Sequence, residues 1–217
     1  MRPTDNLKEQ CESDWQAATR HVFCSELAAG TLSRDKMAWY LTQDYKFVEG
    51  FVRLLASAIA HAPGLADSVP AAQFLAVITG PENTYFLRAL ETLGVPDGGA
   101  DIAAAPETAA FQNLMARAAA SGRYEHMLAV LVVAEWSYLS WAAPFHPPDP
   151  NLPFYFAEWI TLHAGEGFES VVEYLRSQLD TAWERADATT RTEIEALFRE
   201  AVHLEHAFFD AAYNAME

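Results

Sequence analysis

The chain has 217 residues, of which 51% are hydrophobic and 12% aromatic, a composition typical of a folded protein with a sizeable core. Acidic residues outnumber basic ones by 30 to 14, which gives a formal net charge of −16. Such a surface repels phosphate backbones and anionic lipids, so we expect neither nucleic acid nor a membrane as partner. Polar residues interrupt every apolar segment, and residues 1–6 lack the apolar core of a signal peptide, so we expect a cytoplasmic protein.

Apolar residues recur at three- and four-residue spacing along most of the chain, which is the pattern of amphipathic helices. The predicted helices cover residues 5–29, 33–62, 68–79, 82–94, 106–121, 123–143, 153–164, 166–184 and 189–216. The breaks between them include Gly80-Pro81, the glycine-rich segment 94–99 and the proline-rich loop 144–150. No stretch combines strand-length alternation with hairpin signals. We therefore predict an all-α fold, one helical bundle domain spanning residues 1–217.

Three acidic residues lie inside the apolar stripes of their predicted helices. Asp44 lies three residues after Leu41 and three before Phe47, and Glu135 and Glu205 have equivalent positions in the helices 123–143 and 189–216. An unpaired buried carboxylate costs several kcal/mol, so each acid needs a buried cation, a proton or a wet cavity. Basic residues are scarce, with none in residues 124–175. The pattern favours one shared polar pocket with raised carboxyl pKa values, suited to acid–base chemistry.

Aromatic side chains accompany these acids along the chain. They include Tyr45, Phe47, Trp136, Tyr138, Trp141, Tyr155, Trp159, Phe208 and Phe209, with His163 near them in sequence. Taken one at a time, such residues belong more often to a core than to a binding site. Together with inward-facing acids, they indicate a flat ring stacked on aromatic side chains and hydrogen-bonded by carboxyl groups.

In four blocks the chain resembles the TenA (thiaminase II) family, whose fold is haem-oxygenase-like and all-helical. The blocks are residues 39–51 (WYLTQDYKFVEGF), 134–142 (AEWSYLSWA), 155–174 and 205–210 (EHAFFD). They follow in the family's order and cover nearly the whole chain.

The chain departs from the better-known branch of that family, which has a cysteine nucleophile one turn before the tyrosine of the second block. Ala134 and Glu135 occupy that neighbourhood here, and Glu135 with Tyr138 resembles the branch in which a glutamate takes the place of the cysteine. His163 occupies a position where many relatives carry a tyrosine, and Phe47 occupies a second position where some relatives carry a tyrosine. Both changes bear on substrate preference.

The resemblance implies hydrolysis of 4-amino-5-aminomethyl-2-methylpyrimidine, or of its N-formyl derivative, to the hydroxymethyl pyrimidine used in thiamin salvage. It implies catalytic roles for three residues: Glu205 as general acid or base, and Glu135 with Tyr138 in positioning water or moving a proton. It implies that Asp44 fixes the ring by hydrogen bonds. The remaining expected substrate contacts are Tyr45, Phe47, His163 and Phe209. No metal and no cofactor is expected.

Two other functions stay open at this point. A di-iron oxygenase would use carboxylate and histidine ligands from neighbouring helices. The available ligands are Glu82, Glu135, His163, Glu205 and His206. A non-catalytic or regulatory protein is the other alternative, and the missing cysteine is its best support. Apolar residues on several helix faces also predict a homo-oligomer, either a dimer or a tetramer.

Overall fold

A computed structural model describes residues 1–215, which form helices joined by short turns and contain no β-strand in that range. The helices are α1 (Pro3–Gln10), α2 (Glu12–Thr19), α3 (Val22–Ala29), α4 (Arg34–His61), α5 (Leu65–Val77), α6 (Asn83–Leu93), α7 (Pro106–Ala120), α8 (Tyr124–Ala142), α9 (Phe154–Leu162), α10 (Gly165–Arg185) and α11 (Ala188–Asn214). A π-helical turn, Ile78–Glu82, joins α5 to α6, and 3₁₀ turns occupy Pro96–Gly99 and Ala143–Phe145. The all-α prediction is confirmed, and residue 216 of the last predicted helix lies outside the described residues.

The helix α8 is the centre of the bundle. It packs against α2, α4, α7, α10 and α11, and every residue from Met127 to Glu135 is buried. The segment Tyr124–Phe145 is long and apolar enough to cross a membrane, contrary to the expectation that polar residues interrupt every such segment. Because 67% of its most apolar window is buried inside the protein, its apolar character fits a core helix surrounded by other helices.

The predicted first helix, 5–29, is wrong, because three short helices replace it. Cys11 and Arg20 end α1 and α2 with ψ angles of 16° and 21°. The His21 ring then begins α3 by accepting a hydrogen bond from the Phe23 backbone N–H at 3.1 Å. Neither break contains glycine or proline, and the apolar periodicity continues through both positions. The sequence therefore gives no signal that the helix ends there.

The predicted break at Gly80-Pro81 is also wrong, because the chain stays helical there. The π-helical turn Ile78–Glu82 carries α5 into α6. Pro81 has no N–H to donate and its ring crowds an α-helical backbone, whereas the wider π turn changes the hydrogen-bond pattern at that point. The turn ends at Glu82, which is directed into the bundle and only 9% exposed.

The Gln43 side chain attaches the segment 100–105 to α4. Gln43 is 2% exposed, and its amide donates to the Ala103 carbonyl at 3.1 Å. Its oxygen accepts from the Ala105 backbone N–H at 2.8 Å and from the Thr108 hydroxyl at 2.9 Å. One buried amide thus binds three polar groups in and before the first turn of α7, of which the Thr108 hydroxyl is buried.

Replacing Gln43 with leucine should lower the free energy of unfolding by about 2 kcal/mol or more, because buried polar groups would lose their partners. Urea denaturation of wild type and Gln43→Leu measures the difference. The matched control is Gln73→Leu on the exposed face of α5, which should change stability by less than about 0.5 kcal/mol. Equal effects of the two substitutions would contradict the anchoring role.

Candidate active site

Four carboxyl groups lie inside the bundle, each from a different element. Asp44 comes from α4, Glu82 from the π-helical turn, Glu135 from α8 and Glu205 from α11. Their exposed fractions are 4%, 9%, 9% and 2% in that order. The three acids predicted from the apolar stripes are all buried, and Glu82 joins them as a fourth.

Asp44, Glu82 and Glu135 line one cavity, which contains about 380 Å³ of space between atoms, its opening included. Its other lining residues are Phe47, Val48, Phe51, Phe74, Ile78, Ala134, Tyr138, Trp159 and His163. The walls are therefore mainly apolar and aromatic, with three carboxyl groups as the principal polar features. This is the usual make-up of a site for a small organic ligand.

Glu205 lies close to this cavity without lining it. Its pKa is raised well above the ordinary value by burial, and next by the carboxyl groups of Asp44 and Glu135. Its Oε1 atom is buried and has no hydrogen-bond partner among the described residues. A buried carboxyl oxygen without a partner is costly, and a bound ligand or water could satisfy it.

No cation among residues 1–215 forms an ion pair with these acids. None of the ion pairs formed within residues 1–215 includes any of the four carboxyl groups. His163 is the cavity's only imidazole within that range, and burial lowers its pKa to about 4, so it is neutral at neutral pH. Its Nδ1 atom donates to the Trp159 carbonyl at 2.9 Å, which leaves Nε2 as an acceptor.

The surroundings of the cavity acids favour their protonated forms, and to different degrees. Burial raises the pKa of Asp44 and Glu135 well above their ordinary values, and the charge of Glu82 raises both further. Burial raises the pKa of Glu82 to about 7. Groups with different proton affinities in one apolar site can supply an acid and a base together.

Hydroxyl and indole groups form a chain beside the acids. The Trp159 indole donates to the Tyr40 hydroxyl at 3.2 Å, and the Tyr40 and Tyr138 hydroxyls are 2.8 Å apart. The Tyr138 ring lies 4.8 Å from the His163 ring, measured between centroids. These contacts fix the orientation of Tyr138, whose hydroxyl can exchange hydrogen bonds with a bound molecule or water.

Two predicted substrate contacts lie outside the cavity lining. The Tyr45 hydroxyl donates to Asn83 Oδ1 at 2.8 Å, and its ring packs on Phe86 with centroids 5.1 Å apart. Tyr45 lines a neighbouring open groove, here named the outer groove, with Lys46, Val48, Arg53, Ile78 and Asn83. The Phe209 ring packs 6.1 Å from Tyr138 and so supports the cavity wall from behind.

The cavity residues that sequence reasoning did not select come mostly from α5 and the π-helical turn. Phe74, Ile78 and Glu82 belong to this group, and Glu82 was considered only as a metal ligand. A helix break was predicted at Gly80-Pro81, which made Glu82 look like an ordinary first-turn acid. Its signal is the apolar pattern of Phe74 and Ile78, which continues at four-residue spacing to Glu82.

The five residues considered as di-iron ligands are not brought together as a set. Glu82, Glu135 and His163 line the cavity, but His206 lies 3.4 Å from Asp210 on the same helix, with its ring 30% exposed. Within residues 1–215, no group of three or more His, Cys, Asp or Glu side chains is arranged to hold a metal ion.

The sequence model that represents the TENA/THI-4/PQQC family matches residues 8–215. The chain belongs to this family. The aminopyrimidine aminohydrolase of Halalkalibacterium halodurans is 25% identical over 212 residues, covering 96% of this chain and 94% of that protein. The aminopyrimidine aminohydrolase of Bacillus subtilis is 23% identical over 213 residues, covering 96% and 90%.

Solved structures of TenA-family proteins share this fold. The structure of a TenA homologue from Pyrococcus furiosus superposes with a TM-score of 0.86 at 21% identity, covering 97% of this chain and 99% of that one. A TenA family transcription regulator from a Silicibacter species gives 0.86 at 22% identity, covering 97% and 96%. The fold is the all-α haem-oxygenase-like fold of the TenA family, as the sequence blocks predicted.

The raised pKa of Glu82 makes the stability of this TenA-family protein depend on pH. The folded protein keeps a proton that the unfolded chain loses near the ordinary pKa of 4.5, so the free energy of unfolding falls as pH rises from 4.5 to about 7. Glu82→Gln carries no such proton. Across that interval the variant should gain about 3 kcal/mol relative to wild type.

Urea denaturation at a series of pH values measures this gain. Glu91→Gln, at an exposed position of α6, is the matched control and should follow wild type throughout. Parallel stability curves for wild type and Glu82→Gln would show that the Glu82 pKa is not raised.

Proposed function

We propose that this protein is an aminopyrimidine hydrolase of thiamin salvage, acting on 4-amino-5-aminomethyl-2-methylpyrimidine or its N-formyl derivative. The observation that carries the proposal is the set of buried carboxyl groups without cations at one aromatic cavity. Relatives named aminopyrimidine aminohydrolase, aligned over 96% of this chain, support the same reaction class.

The reaction replaces an amine by a hydroxyl at the methylene carbon of the substrate. The bond from that carbon to the amine nitrogen breaks, and a bond to the oxygen of water forms. One water proton leaves with the nitrogen as ammonia, and the hydroxymethyl pyrimidine is the other product. The chemistry therefore needs a group that gives a proton to nitrogen and a group that takes one from water.

Asp44 is suited to bind the aminopyrimidine edge of the ring. Burial raises its pKa and so favours the protonated carboxyl group, which presents both a donor and an acceptor. The O–H can donate to a ring nitrogen while the other oxygen accepts from the adjacent 4-amino group. Phe47 and Trp159, which also line the cavity, supply apolar faces for the ring.

Glu205 is the general acid in this proposal. Its high pKa keeps a proton available at neutral pH, and its unpartnered Oε1 atom has no competing contact among residues 1–215. Glu135 and the Tyr138 hydroxyl, both on α8, position the attacking water. Both residues line the cavity.

The cysteines support acid–base chemistry rather than attack by a thiolate. Neither Cys11 nor Cys24 lines the cavity. Burial is the main cause that raises the pKa of both thiols, and Cys24 is only 2% exposed. A thiol held protonated is a poor nucleophile, so this protein fits the branch of the family in which glutamate replaces cysteine.

Asp44→Asn and Glu205→Gln should each lower kcat/KM for the aminomethyl pyrimidine by about 100-fold or more, because each removes a proton-transfer or ring-orienting group. Steady-state assays of ammonia release measure the effect, with circular dichroism to confirm folding. Glu91→Gln, far from the cavity lining, should retain full activity.

The amine, its N-formyl derivative and thiamin should also be compared side by side by measuring the hydroxymethyl pyrimidine, which is the product common to all three, because only the amine releases ammonia. Full activity of Asp44→Asn and of Glu205→Gln on every compound that wild type hydrolyses would remove the support for this assignment of roles.

A further inference from the structure

Glu82 lies at the boundary between the cavity and the outer groove. Ile78 and Val48 line both spaces, and Asn83, the residue after Glu82, lines the outer groove alone. Glu82 itself lines only the cavity. Glu82 therefore lies on the side of the cavity that adjoins the outer groove.

The electrostatic contacts indicate which of the four acids lie near one another. The charge of Glu82 acts on Asp44 and Glu135. Glu205 is affected by Asp44 and Glu135, and Glu82 is not among the groups that shift its pKa. Glu82 thus lies nearer to Asp44 and Glu135, with which it lines the cavity, than to Glu205, which lies outside the lining.

The outer position of Glu82 is fixed by the backbone. It is the last residue of the π-helical turn, and Pro81 directly before it restricts the chain further. π-Helical turns inside α-helices occur frequently at functional sites. No ion pair within residues 1–215 engages the Glu82 carboxyl group, so it is free to act on a bound molecule.

We propose that Glu82 is a further catalytic residue, the general base that takes the proton from the attacking water on the side of the cavity that adjoins the outer groove. This inference rests on the proposed hydrolysis. Water enters from the outer groove and loses its proton to Glu82 as its oxygen bonds to the methylene carbon. The amine departs toward Glu205, and Glu205 supplies its proton.

In this assignment the attacking oxygen and the leaving nitrogen lie on opposite sides of the carbon, as an in-line displacement requires. The proton balance then closes, because Glu82 gains one proton and Glu205 loses one in each turnover. Exchange with water, through the outer groove for Glu82, returns both groups to their starting states. Asp44 and Glu135 hold the ring and the water in place.

The protonation state of Glu82 suits this role. A base works best when its pKa is close to the working pH, and burial brings the pKa of Glu82 to about 7. The titratable or charged groups around it are Asp44, Glu135, Tyr138 and His163 in the cavity, Tyr85 of α6, and Lys46, Glu49, Arg53 and Asp97 in the outer groove. His163 is neutral above about pH 4, so its titration does not contribute to the pH dependence near pH 7. Glu49 forms an ion pair with Arg53.

The test is the pH dependence of kcat and KM for wild type, Glu82→Gln and Glu82→Asp, with the aminomethyl pyrimidine as substrate. Wild-type kcat/KM should rise with pH through an apparent pKa of about 7. Glu82→Gln should lose that rise and about 100-fold in kcat, the usual contribution of a general base, while KM changes by less than about 3-fold. Glu82→Asp should restore the rise with pH, although with a lower plateau.

The control is Glu91→Gln, which should reproduce the wild-type profile. If wild type is active and Glu82→Gln is equally active, or differs from it only in KM, the role of Glu82 is overturned. The proposed function would still stand. If kcat/KM of Glu82→Gln rises with pH as that of wild type does, the role of Glu82 is also overturned. A wild type that turns over neither the amine nor its formyl derivative would contradict the proposed function, and this inference with it.

Discussion

The burial of four carboxyl groups with no cation to balance them is the constraint on which this structure depends. An ionised carboxylate in such surroundings costs several kcal/mol, so the protein keeps protons on these groups instead. Asp44, Glu135 and Glu205 have pKa values raised well above the ordinary range, and the pKa of Glu82 is about 7. The site thus combines carboxyl groups of different proton affinity with a lining of aromatic side chains.

The rest of the bundle supports this arrangement at a cost in stability. The apolar helix α8 supplies the surroundings that raise the pKa of Glu135, and the buried Gln43 amide connects the start of α7 to α4. An apolar residue at any of the four acid positions would suit the surrounding core better. Proteins accept such local destabilisation where a strained or polar site serves function.

The sequence could predict the parts of the site that depend on helix periodicity. Asp44, Glu135 and Glu205 interrupt apolar stripes, and all three are buried. Phe47, three residues after Asp44, shares its face and lines the cavity, whereas Tyr45 is one residue away, about 100° around the helix, and lines the outer groove.

The sequence could not predict the features that depend on irregular backbone or on the distance of a side chain from the cavity. Glu82 follows a Gly-Pro pair that signals a break in most helices, and only the π-helical turn keeps it in register with Phe74 and Ile78. Phe209 shares a helix face with Glu205, but the Phe209 ring packs against the Tyr138 ring and does not line the cavity. Periodicity gives the direction of a side chain and does not give its distance from a cavity.

The central claim is that Asp44, Glu135 and Glu205 keep their protons at neutral pH, and carbon-13 NMR of labelled Asp and Glu carboxyl groups tests it directly. The Asp44, Glu135 and Glu205 resonances, assigned through the amide variants, should remain at the protonated position at pH 7 in the unliganded protein. If every carboxyl resonance instead completes its titration below about pH 5.5, as exposed acids do, the account is contradicted.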